Sequence, residues 1–86
     1  MISYIAAFRS RSQTMRLFQV AKSRGIACSI ITTPREASIG CGISLSYGQD
    51  SHAAVKNLVM RGDFNALIGF YKMERTPDGK LFVQRV

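Results

Sequence analysis

SRSQTMRLFQVAKSRGIACSIIT, residues 10–32, changes from one structural period to another partway along, and that change decides the fold. In its first half Thr14, Leu17, Phe18 and Ala21 fall at i, i+3, i+4 and i+7, one stripe of a 3.6-residue period. Ser10 or Ser12 supplies an N-cap oxygen, Lys22 and Arg24 suit the negative end of the helix dipole, and Gly25 is the expected residue just beyond. The pattern predicts a helix ending at about Arg24. From Ile26 to Thr32 the residues turn β-branched and apolar, which predicts a buried strand. Cys28 shares a face of that strand with Ile26 and Ile30 and reads as core, where a thiol behaves as a small hydrophobe.

Working outward, Ile2 to Phe8 is a short β-type run that opens the chain. Ile43 to Tyr47 is a third strand, after which Asp50 is placed to cap a second helix running to about Arg61. Ala54, Val55, Leu58 and Val59 form the apolar stripe of that helix, and Gly62 ends it. Ala66 to Arg75, rich in Ile68, Phe70 and Tyr71, is a further strand. Thr76-Pro77-Asp78-Gly79-Lys80 is a turn, with proline presetting φ and glycine accepting the left-handed position, and Leu81 to Val86 returns as its hairpin partner. The order β-α-β-β-α-β with one added strand predicts an α+β fold. In detail it predicts a ferredoxin-like two-layer sandwich, residues 1–86 forming one domain with both helices on one face of the sheet.

A net charge of +7 on 86 residues favours anionic partners, although the charges are scattered rather than gathered in blocks. No apolar run approaches the ~20 residues needed to cross a bilayer. The apolar start has its basic residues, Arg9 and Arg11, after rather than before it, so it reads as a strand and not a signal peptide. These features predict a cytoplasmic chain with no membrane contact. Two cysteines, Cys28 and Cys41, are too few for a disulfide framework and are expected reduced. With His52 they show no zinc-type spacing, so neither metal nor cofactor is expected. His52 itself reads as a surface residue of the first turn of its helix rather than a general base.

The chemistry is concentrated in residues 33–42, TPREASIGCG. Thr33 and Glu36 have capping-box spacing with Pro34 at the first helical position, which predicts one short helical turn at the loop start. Gly40 and Gly42 flank Cys41, leave its sulfur uncrowded and permit backbone conformations that form anion-binding nests. A thiol reacts as thiolate, and nearby cations or exposed N–H groups lower its pKa from ~8.5. Arg35 can fold back to supply that charge across a compact loop. On residue chemistry alone, Gly40-Cys41-Gly42 reads equally as a tight strand entry with a small side chain between glycines.

The run Thr33-Pro34-Arg35-Glu36, then Ser38, then Cys41-Gly42-Ile43-Ser44-Leu45, resembles the signature of the Putative Se/S carrier protein-like family, small bacterial domains of unknown function. The likeness extends to Phe8 at the end of the first strand, to Gly25-Ile26, and to Gly69-Phe70-Tyr71 in the last family strand. It implies a carrier thiol at Cys41, with Arg35 as the loop arginine and Ser38 as a hydrogen-bond donor. The basic start of the first helix (Arg9, Arg11, Arg16) and the hairpin beyond Arg75 depart from the family pattern.

The sequence therefore predicts a non-enzymatic sulfur or selenium carrier in which Cys41 holds a persulfide sulfur or selenium for transfer between donor and acceptor proteins. The alternative is a ligand-binding, nucleic-acid-binding or regulatory module without covalent chemistry. For nucleic acid, Tyr4, Phe8, Phe70, Tyr71 and Phe82 are candidate stacking residues, but they lack the alternation with Gly and Arg that sheet readers of RNA use, so binding there is not expected. A homodimer is compatible with the terminal hairpin offering a sheet edge.

Overall fold

The computed structural model describes residues 2–35 and 42–86. The elements are β1 (Ile2–Phe8), α1 (Arg11–Ser23), β2 (Cys28–Thr32), β3 (Ile43–Tyr47), α2 (His52–Arg61), β4 (Leu67–Arg75) and β5 (Leu81–Arg85). The five strands form one sheet in the order β2-β3-β1-β4-β5, and every neighbouring pair is antiparallel. Two helices over an antiparallel sheet make this an α+β structure, compatible with two packed layers.

Each helix begins and ends for local reasons. The Ser10 side chain accepts a hydrogen bond from the Gln13 N–H at 3.2 Å and caps α1. Gly25, at φ +76°, takes the left-handed position that ends it. The second helix differs from its expected start. Asp50 lies in a 3₁₀ turn, Gln49–Ser51, and no side chain caps α2 at Ser51. Gln13 ties α1 to the entry of β4, donating to Asn65 Oδ1 at 2.7 Å and accepting from the Ala66 N–H at 3.0 Å.

Strand register separates two clusters. On the face covered by the helices, Ala6, opposite Leu45 and Phe70, packs with Phe8, Tyr47, Leu17 of α1 and Val55 and Val59 of α2. On the other face, Ile5, opposite Ser46 and Tyr71, packs with Ala7, Ile31, Met73 and Val83. Arg85 crosses this second face, donating through Nη2 to the Ile68 carbonyl at 2.9 Å. A register shift between Ala7 and Phe8 leaves Ile68 without a partner on β1 and sets Leu67 opposite Phe8, which shares the helix side with Ala6 by alternation.

The strand 26–32 was expected to be buried, yet β2 is an edge strand with no fully buried residue. β-branched composition marks a residue that fits a pleated surface, but the neighbour count is set by sheet order, which a run of seven residues does not encode.

Candidate functional site

The β2–β3 hairpin carries the loop in which the sequence places its chemistry. Five antiparallel pairs run from Cys28↔Tyr47 to Thr32↔Ile43. The Thr33 N–H then donates to the Gly42 carbonyl at 2.9 Å, so the two ends of the 33–42 segment meet at hydrogen-bond distance. Beneath them the Thr33 and Ser44 hydroxyls lie 2.6 Å apart, Ser44 being fully buried. Its buried hydroxyl is satisfied there, as a polar group out of contact with water requires.

Gly42 stands at φ +93°, where L side chains are strained, although a Cβ there would meet nothing within 4 Å. The cost of a side chain is therefore conformational rather than steric. Gly42→Ala should destabilise the chain by about 1–2 kcal/mol. Gly48→Ala, at φ −79° with equally open space, should stay within about 0.5 kcal/mol of the parent. Urea unfolding compares them, and equal midpoints for the two variants would show that the left-handed backbone carries no strain.

Of the residues expected to form the site, Arg35 and Gly42 are exposed at the two ends of the loop. Ser38, Gly40 and Cys41 lie outside the described residues, as does most of the helical turn expected after Thr33. At the loop start, Ile31, Thr32 and Pro34 join Ser3, Met73, Arg75 and Leu81 around a cleft of about 310 Å³ on the face away from the helices. The contribution of Arg75 was not legible in the loop sequence. The only available signal is β4 alternation, which puts Tyr71, Met73 and Arg75 on one face.

Cys28 is half-buried and packs against the helix-side core. Burial raises its pKa, against the opposing charge of Lys22. Its neutral form is favoured, which suits the packing role and makes it a poor nucleophile.

His52 departs from its expected surface role. It is half-buried at the start of α2, with its ring 4.5 Å from Tyr4 and edge-on to Phe70 at 5.6 Å, and Nδ1 is 2.9 Å from the Tyr47 hydroxyl. Burial, then the charge of Lys56, lowers its pKa, while burial, then Tyr4, pushes the Tyr47 phenol upward. Both shifts keep the pair neutral. Tyr47 closes the end of β3 opposite Ile43, about 13 Å along the strand from the loop, so His52 is not placed to serve it as a base.

Because the folded pKa of His52 lies below the unfolded value near 6.5, the unfolded chain binds more protons in the window between the two. Its contribution to stability is complete above about pH 6.5 and is lost as pH falls through the folded pKa. Denaturation at about pH 7.5 and 5 should show a loss that His52→Gln reduces. Parallel pH profiles for parent and variant would exclude this linkage.

Among the described residues, no three His, Cys, Asp or Glu side chains group as a metal site, and no helix is long and apolar enough to cross a membrane.

Among protein families, one described as "Putative Se/S carrier protein-like" matches residues 3–67. The matched range contains the whole 33–42 segment and stops before Gly69-Phe70-Tyr71, to which the resemblance read from the residues had extended. No curated protein and no solved structure matches the chain.

Proposed function

Because the chain belongs to the Putative Se/S carrier protein-like family, we propose that it carries sulfane sulfur, or selenium in its place, on the Cys41 thiol and hands it to an acceptor protein. The observation that supports this reading most is that the family match takes in the loop holding Cys41. The closed loop base at Thr33 and Gly42, with a glycine at positive φ directly after Cys41, suits presentation of a small reactive side chain.

The step balances without an oxidant. The Cys41 thiolate attacks the terminal sulfur of a donor persulfide, R–S–SH. The donor S–S bond breaks, R–S⁻ leaves as a thiolate, and Cys41 becomes Cys–S–SH. Transfer to the acceptor repeats the exchange in reverse. The protein acts stoichiometrically and needs no acid or base of its own beyond what ionises the thiol. Arg35 supplies positive charge to the thiolate, Ser38 donates a hydrogen bond, and Gly40 and Gly42 leave the sulfur open and present backbone N–H groups. A reducing compartment such as the cytoplasm keeps both cysteines as thiols between transfers.

The split connectivity supports reading the fold as ferredoxin-like with β5 added at one edge. β3 lies between β1 and β2, and β1 lies between β3 and β4.

Incubating the chain with a small-molecule persulfide and weighing it intact tests the carrier role. One added sulfur atom, removable by a thiol reductant, is expected. A mass that never changes ends the proposal.

A further inference from the structure

Between the outward sides of α1 and α2 runs an open groove of about 580 Å³, whose lining includes Arg16, Val20 and Arg24 of one helix and Leu58 and Arg61 of the other. Arg16, Val20 and Arg24 are successive i, i+4 neighbours, so the two arginine positions stand about 12 Å apart along the α1 axis. Arg16 is held in place, donating to the Asp63 carbonyl and lying 4.3 Å over the Phe64 ring. Asp63 follows α2 by two residues, so Arg61 shares the Arg16 end of the groove and Arg24 marks the other. Val20, Ile26 and Leu58 lie between them.

The groove therefore has a cationic end, an apolar middle and a second cationic end. Among the described residues of the lining, Asp63 is the single carboxylate. Among the described residues, Arg24 and Arg61 have no side-chain partner, and both are exposed. This charge layout decides the occupant. A mononucleotide carries its charge at one end and would leave the other arginine unused, and a strand of nucleic acid spaces its phosphates more closely than the arginine ends, which would leave a charge over the apolar middle with no cation beside it. A peptide segment with acidic side chains two helical turns apart and an apolar residue between them matches all three zones.

We propose that this groove docks an acidic amphipathic segment of a partner protein, with its apolar residue on Val20 and Leu58 and its carboxylates on Arg24 and on the Arg16–Arg61 end. The inference rests on the carrier reading only in expecting a protein partner, and it does not depend on the thiol. The test can accordingly be run on Cys41→Ser chain as well as on the parent.

The probe is a blocked helical peptide with glutamates two turns apart and a leucine midway, beside an isomer with its glutamates clustered. Amide shifts of the full chain should change along α1, α2 and residues 62–64, equally in parent and Cys41→Ser. Arg24→Glu with Arg61→Glu should weaken binding by about tenfold or more. Arg9→Glu with Arg11→Glu, which makes the same change in net charge outside the groove, should weaken it by less than about threefold. Three outcomes overturn the proposal: no shift at the groove amides, equal binding of the clustered isomer, or equal loss from both pairs of reversals. A single-stranded oligonucleotide that displaces the peptide and binds more tightly also overturns it and assigns the groove to nucleic acid. Loss of sulfur loading with peptide binding intact would remove the carrier chemistry and leave the groove standing.

Discussion

Cys41→Ser should abolish persulfide loading completely, while Cys28→Ser should load like the parent. The two thiols differ in surroundings. Cys28 packs against the helix-side core, and burial favours its protonated form. Cys41 sits between two glycines, with Arg35 six residues before it. Only the thiolate attacks a sulfane sulfur, so the rate follows the ionised fraction and access together. Competitive alkylation with a limiting reagent, followed by peptide mass mapping, ranks the two thiols directly, and Cys41 should label first. If Cys28 labels faster, or if Cys41→Ser still gains sulfur, the roles assigned here are reversed and the carrier proposal fails. Arg35→Ala should slow loading without abolishing it, because a neighbouring cation shifts the thiolate fraction and takes no part in the exchange.

The largest effect on stability should come from Phe8→Ala. Phe8 is wholly buried, lies on the helix side of the central strand β1 and meets the Phe64 ring at 5.7 Å. Truncating a buried phenylalanine costs about 3–5 kcal/mol, since transfer energy is lost and the surrounding packing closes only in part. A chain of this length is stable by roughly 4–13 kcal/mol, so the variant should be near the edge of folding. Met60→Ala removes a side chain of comparable hydrophobicity that is 71% exposed and should change stability by less than about 0.5 kcal/mol. Urea midpoints compare the pair. Similar midpoints would mean that Phe8 does not anchor the core.

The helix periodicities were readable because they arise within a few turns of chain. Thr14, Leu17 and Ala21 are fully buried as their stripe requires, and Phe18 packs at its margin. Ser10 as cap and Gly25 as terminator follow from the same short-range rules. The α2 start differs from the sequence expectation because Asp50 has the right chemistry for a cap, but the chain spends three residues in a 3₁₀ turn before α2 begins. His52 departs from the sequence expectation for a longer-range reason. Its partners Tyr4 and Phe70 lie 48 residues before and 18 after it, and nothing in the sequence near His52 reports a ring from another strand.

The amino-acid sequence alone determined the element order, the α+β class, the helix stripes and the position of the one thiol flanked by glycines. Each depends on residue type and on neighbours within about a turn or a hairpin. Tertiary structure decided which strands are edges, the union of Pro34 with Arg75 in one cleft, the neutral Tyr47–His52 pair and the two-ended basic groove. The cleft and the groove join residues tens of positions apart, and Tyr47 and His52, five apart, are kept neutral by burial among rings from other strands, Tyr4 and Phe70. Burial or charge at such a place depends on strand order and helix packing and belongs to the assembled surface rather than to any segment of the chain.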